Sequence, residues 1–193
     1  VNSNPTVDAG ADQTICSGSS ASLSASVSPA GGSFSGGGAG FTDLSTTTSN
    51  ITVSGTGMNA SDIGYVMINI VHTWDSDLDI TLIAPDGSSI DLSSDNGGSG
   101  DNYTNTIFSS TGTTPITSGS APFTGTYTPE APFSGLTGSA DGVWTLSIYD
   151  DASGDTGSLL DWNINFDDPN VYSWTPSATL SDAAITNPSA TPT

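Results

Sequence analysis

His72-Thr73-Trp74-Asp75-Ser76-Asp77-Leu78-Asp79-Ile80-Thr81-Leu82-Ile83-Ala84-Pro85-Asp86-Gly87 is the stretch on which the fold turns. Its second half, Asp79 to Ala84, runs into Pro85-Asp86-Gly87, where a Pro at the second turn position and a nearby Gly supply β-turn chemistry. Ser89-Ile90-Asp91-Leu92 then returns, so the segment predicts a β-hairpin. Upstream, between Gly64 and Thr73, Val66, Ile68 and Ile70 share one face and Met67 and Val71 the other. A strand apolar on both faces belongs at the centre of a sheet. Downstream, Trp144, Leu146 and Ile148 alternate with Thr145 and Ser147. Leu160, Trp162, Ile164 and Phe166 alternate in turn with Asp161, Asn163 and Asn165, the period of a half-buried strand. No segment sustains a 3.6-residue apolar period, so the chain reads as all-β.

Composition agrees and excludes whole classes of function. The 193 residues hold one large β domain or two small ones. They contain no Lys or Arg against 20 acids, a formal net charge of -20. Every acid except Glu130 is Asp, whose short side chain bonds nearby amides and suits loops between strands. Nucleic acid and anionic lipid both require cationic partners, so neither is expected as a ligand. No apolar run of about 18 residues exists, so no membrane insertion is expected. No signal peptide is recognisable, and the chain reads as an excerpt or a mature product. Cys16, the single cysteine, is expected as a buried thiol, the alternative being half of a disulfide whose partner lies outside this chain. A chain without Lys or Arg also offers trypsin-like proteases no cleavage site, which suits a long-lived extracellular part.

Outside the central region the signals weaken. Val1 to Ser28 reads as short strands at Thr6–Gly10, Gln13–Cys16 and Ala21–Val27; in the last, Ala21, Leu23, Ala25 and Val27 alternate with Ser. Residues 29–40 are so rich in glycine that a hinge is expected. Val171-Tyr172-Ser173-Trp174 is expected as a further strand, after which the chain stops at Ala190-Thr191-Pro192-Thr193 without a closing one.

The hairpin stretch, together with Gly142-Val143-Trp144-Thr145-Leu146-Ser147-Ile148-Tyr149-Asp150-Asp151 and the following Gly154-Asp155-Thr156-Gly157, resembles the P-domain (Homo B) family in order and spacing. That resemblance implies a jelly-roll sandwich, found beside subtilisin-type catalytic domains or alone in bacterial surface proteins. Asn4-Pro5-Thr6-Val7-Asp8-Ala9-Gly10-Ala11-Asp12-Gln13-Thr14-Ile15-Cys16 resembles the opening of PKD-like, Ig-fold repeats of secreted Bacteroidetes proteins. Tyr172-Ser173-Trp174-Thr175-Pro176, Leu180–Ala183 and Asn187-Pro188 resemble the middle of the same repeat. The expected organisation is a jelly roll over 41–168, inserted after a hinge at 29–40 into a split, incomplete Ig-like sandwich made of 1–28 and 169–193.

No nucleophile motif accompanies His72, the only histidine, which the resemblance makes structural, hydrogen-bonded near Trp74; no enzyme activity is expected. Asp75, Asp77 and Asp79 have D-x-D-x-D spacing, but Ile80 stands where an EF-hand needs Gly. In an extended chain these carboxylates point the same way and repel unless a cation intervenes. With the acidic loops 95–102 and 150–155 they nominate Asp75, Asp77, Asp95, Asp101, Asp150 and Asp155 as oxygen ligands for Ca2+. Sugar binding would use exposed aromatics, for which Tyr103, Tyr127 and Trp74 are the candidates. Asn50-Ile51-Thr52, Asn59-Ala60-Ser61 and Asn102-Tyr103-Thr104 fit the N-glycan acceptor pattern.

Two functions follow. The first is a non-enzymatic, structural or adhesive module of an extracellular bacterial surface fibre or giant adhesin. Its partners would be other copies of itself, adjacent repeats, or glycans, met through an unpaired sheet edge. The second is an accessory P-domain of a secreted protease, or a Ca2+-dependent sugar-binding module.

Overall fold

The structure is a computed structural model that describes residues 6–16, 18–175 and 177–191. The resemblance carried by Asn4-Pro5 and Pro176, and the terminal Pro192-Thr193, lie outside the described residues. The described strands run β1 (Thr6–Asp8), β2 (Ala21–Ser22), β3 (Ser26–Ser28), β4 (Gly32–Gly40), β5 (Ser45–Val53), β6 (Ile63–His72) and β7 (Leu78–Ile83). They continue with β8 (Ser89–Ser94), β9 (Tyr103–Phe108), β10 (Thr114–Pro115), β11 (Phe123–Thr128), β12 (Gly142–Asp150), β13 (Gly157–Phe166) and β14 (Ser189–Ala190). Contacts divide the chain into two units, Val1–Ala30 with Asp168–Thr193, and Gly31–Asp167.

Within 31–167, one sheet has the order β10-β11-β9-β6-β13-β4 and the other β5-β12-β7-β8. Consecutive strands cross from sheet to sheet except at the β7–β8 hairpin and the β9–β10–β11 edge, and the two sheets face each other as a jelly roll. The alternation of β12 works as read: Trp144, Leu146 and Ile148 are buried, facing Ile80 and Leu82 of β7 in the same layer. From the opposite sheet Ile68, Ile70, Trp162, Ile164 and Phe166 close the core. Each such side chain contributes about 1.5–3 kcal/mol on burial. The polar tips of the two tryptophans are satisfied, Trp144 Nε1–H by Ala140 O at 2.8 Å and Trp162 Nε1–H by Ser49 Oγ at 3.0 Å.

Four expectations change here. Residues 32–40 are no hinge: they form the edge strand β4, paired antiparallel with β13 from Gly32↔Phe166 to Gly40↔Ser158. Its glycines admit close approach, since a Cβ on Gly36 would strike the Trp162 indole and Ile51, and one on Gly38 the Leu159 and Leu160 carbonyls. On β13 a register shift between Leu159 and Asp161 puts Leu159 in the core and leaves Leu160 half exposed, reversing the expected alternation. Asp75–Asp77 form a 3₁₀ turn rather than an extended run, so only Asp79 lies in a strand. Tyr103 is fully buried, its ring stacked on Phe123 at 4.7 Å and its hydroxyl 3.1 Å from Ser93 Oγ.

The flanking unit is small. β1 pairs with β3, placing Val7 opposite Val27, and β14 pairs with β2. Leu23 N–H and Ala25 N–H extend the second pairing by donating to Pro188 O and Thr186 O, at 2.9 and 3.1 Å. β14 therefore pairs along one edge of β2, close to the end of the chain where no further strand was expected. Two other readings fail: Gln13–Cys16 and Val171–Trp174 form no strand, and Cys16 is exposed rather than buried. Trp174 is held instead through side-chain and backbone N–H bonds to Ile185 O and Ala183 O, at 2.9 and 3.0 Å.

Candidate functional site

Jelly-roll topology brings one end of six strands together: the ends of β6, β8 and β12 and the starts of β7, β9 and β13. The loops there are acidic. Asp75 is fully buried because its backbone N–H donates to Gly100 O at 2.9 Å and its Oδ1 accepts the Asn102 N–H at 2.8 Å. Loop 95–102 thereby folds over the 3₁₀ turn, and Gly97, at φ +93°, has no room for a Cβ against Phe123 and Asp75. Burial pushes the Asp75 carboxyl up to about 7, and its Oδ2 has no partner.

Asp150 ends β12 opposite Leu78 of β7, and Asp151 N–H donates to Asp77 O at 2.9 Å, so Asp77 and Asp150 are neighbours. Asp150 is 1% exposed and Asp77 8%. Neither Asp150 oxygen accepts a hydrogen bond, and the nearest basic atom, His72 Nε2, stands 3.5 Å from Oδ2 and is itself without a hydrogen-bond partner. Burial raises the pKa of Asp150 despite the nearby imidazole. Burial, then the charges of Asp150 and Asp155, raises that of Asp77. His72 is buried, its Nδ1 within 2.9 Å of Trp74 O and 3.2 Å of Trp74 N. Among the described residues no hydroxyl or thiol hydrogen-bonds to this imidazole.

All six nominated ligands lie at this end, though not as equals. Asp75, Asp77 and Asp150 are buried; Asp155 is half-buried and accepts the Thr73 hydroxyl at 2.7 Å; Asp95 and Asp101 are exposed in loop 95–102. Among the described residues no three carboxylate or imidazole groups converge as a preformed metal centre. Asp43, whose Oδ2 accepts the Gly154 N–H at 3.0 Å, joins the cluster unforeseen. Recognising it required β4 and β5 as consecutive strands, which the hinge reading hid. The aromatic platform does not form: Tyr103 is core and Tyr127 packs edge-on against Phe123 at 5.8 Å, leaving Trp74 exposed alone of the three. Asn102 is structural as well, its Oδ1 accepting the His72 N–H at 3.1 Å.

Strand order, hairpin and buried tryptophans define a P-domain-type jelly roll. The model of the proprotein convertase P-domain family matches residues 64–166, more than half of the chain, and the chain belongs to that family. Leupeptin-inactivating enzyme 1 of Streptomyces exfoliatus is 36% identical over 118 residues, which are 61% of this chain and 22% of that protein. The crystal structure of a serine protease of Aeromonas sobria matches with a TM-score of 0.43 and 16% identity, over 85% of this chain and 27% of that one. The same protease in complex with its chaperone matches at 0.39 and 16%, over 84% and 26%. The chain thus spans less than a third of the length of each of these relatives.

Proposed function

We propose that this chain is the accessory, non-catalytic P-domain portion of a secreted protease and acts outside the cell. The observation that carries the reading is the family match over 64–166, joined to a relative that is itself an inactivating enzyme about five times longer than the shared segment. The site supports it. The single imidazole is enclosed, clamped by the Trp74 backbone and bonded to no hydroxyl among the described residues, so it lacks the oriented nucleophile that acyl transfer needs. The family match and the curated relative favour this reading over the surface-fibre reading. Sequencing the gene around the chain tests it: a peptidase domain on the same polypeptide is expected. A polypeptide of tandem β repeats with no peptidase domain would overturn it. The isolated chain is expected to cleave neither casein nor leupeptin.

A further inference from the structure

We propose that β5, the outer strand of the four-stranded sheet, pairs antiparallel with β5 of a second copy of this chain, joining two jelly rolls through one continuous sheet. The inference is independent of whether a peptidase accompanies the chain. It rests on a comparison of the four sheet edges of the jelly roll. An edge strand presents unpaired N–H and C=O groups, and folded proteins blunt such edges with short strands, Pro, charge, bulges or a covering loop. Three of the four are blunted. β10 is two residues long and ends on Pro115. β8 is covered by Glu130 and Ala131, whose N–H groups donate to Leu92 O and Asp91 O at 3.3 and 2.9 Å. β4 is rich in glycine, and its Gly37 and Gly40 carbonyls accept the Ser49 and Thr47 hydroxyls at 2.7 and 3.4 Å.

β5 has none of these devices. It runs nine residues in unbroken register with β12, without Gly, Pro or acid. Among the described residues no group outside β12 hydrogen-bonds to its main chain. A second copy is the occupant because the strand is self-complementary and uncharged. Two chains of net charge -20 repel, yet between Asp12 and Asp62 the only acid is Asp43. Self-pairing centred on Ser49 sets Thr48 opposite Asn50, Thr46 opposite Thr52 and Asp43 opposite Gly55, so no acids face each other. The two Asp43 residues then stand about 40 Å apart along the strands, several times the Debye length of about 8 Å at physiological salt. The contact is isologous, so it closes at two copies.

The test is sedimentation equilibrium of the whole chain over a concentration series, at physiological salt and in about 1 M NaCl, where the Debye length falls to about 3 Å. A monomer–dimer equilibrium is expected, tighter at the higher salt. Thr48 is exposed on the outer face of β5, and Thr48→Asp places two carboxylates on diagonal positions about 7–8 Å apart in the dimer. It should weaken association about tenfold or more at physiological salt. Ser89→Asp, which adds the same charge on the exposed face of β8, should leave it unchanged. An equimolar mixture of Thr48→Asp and Thr48→Lys chains should recover the dimer that the Asp variant loses, a result that misfolding of either variant does not produce. A chain that stays monomeric throughout the series in about 1 M NaCl overturns the proposal. So does a dimer as tight with Thr48→Asp as without it, which places the contact on another surface, or growth beyond two copies, which shows that a second edge takes part.

Discussion

Asp141, at the turn that enters β12, accepts hydrogen bonds from the Thr56 amide, the Thr56 hydroxyl and the Gly57 amide at 2.9, 2.8 and 3.3 Å. Asp150, which closes the same strand about 30 Å away by strand rise, accepts none in hydrogen-bond geometry. The contrast extends to their surroundings. Beside Asp141, Asp86 ties the β7–β8 turn together through Ser88 Oγ, Ser88 N and Thr137 Oγ1 at 2.6, 2.9 and 2.6 Å, and these bonds hold its carboxyl down at about 2. Around Asp150 the carboxyls of Asp75, Asp77 and Asp95 are all pushed up, by desolvation first and by neighbouring acids after it. One residue type staples loops at one end and crowds at the other.

The comparison assumes that one core supports both ends. Trp144, fully buried between them, tests this most severely: Trp144→Ala should cost about 3–5 kcal/mol. Chemical denaturation followed by hydrogen exchange should show the Thr56 and Asn102 amides, one at each end, losing protection together. If they open at different denaturant concentrations, the ends belong to separate cooperative units and cannot be compared as one fold.

Next in size is the staple itself. Thr56 is 1% exposed, so Asp141→Ala would strand two of its donors in a site closed to water. That should cost about 1–3 kcal/mol in a urea melt. A loss of a few tenths would mean that solvent reaches Thr56 and that the capped end is not held by its carboxylate.

Much of this architecture was legible in the residues, and the failures share a physical cause. The hairpin and β12 were readable because each alternates one buried face with one exposed face, a signal carried by local order alone. β4 was not, because Gly36 and Gly38 are there for the close approach of Trp162 and β13, which no window of sequence contains. Leu160 and Leu159 exchanged places through a bulge, which shifts the pattern without leaving a compositional trace. The acidic loops could be named from their Asp residues. That Asp150 would be enclosed without a donor, while Asp141 met three, depended on which loops the topology gathers. Asp43 was missed for that reason, and Tyr103 was misplaced because stacking on Phe123 is a long-range contact.

Acid separates the two ends by sign. Burial opposes ionisation of Asp141, but the hydrogen bonds from Thr56 and Gly57 outweigh it and hold its pKa below the ordinary 3.8. A carboxyl depressed in the folded state contributes stability that is present above 3.8 and lost as pH falls through the lower folded value. The deficit of Asp141→Asn against the wild type should therefore be constant at neutral pH and shrink below about pH 4. A deficit that persists undiminished at pH 2 would show that the bonds survive protonation and that charge is not what holds the staple.

The finest test applies the same change, Asp to Asn, at the crowded end. Asp155 is half-buried and accepts one hydrogen bond, from Thr73 Oγ1, which an amide oxygen can still accept. What the substitution removes is a negative charge that bears on Asp77. Screened pairs of this kind are worth about 0–1 kcal/mol, so Asp155→Asn should stabilise the chain by at most about 0.5 kcal/mol. The sign matters more than the size: Asp141→Asn should lower the melting temperature where Asp155→Asn raises it. Because the gain is Coulombic between partly solvated groups, it should fade as NaCl shortens the Debye length from about 30 Å at 0.01 M to about 3 Å at 1 M. A loss of stability at low salt would place Asp155 among the staples, and the division of the jelly roll into a capped and a crowded end would then have to be redrawn around loop 150–155.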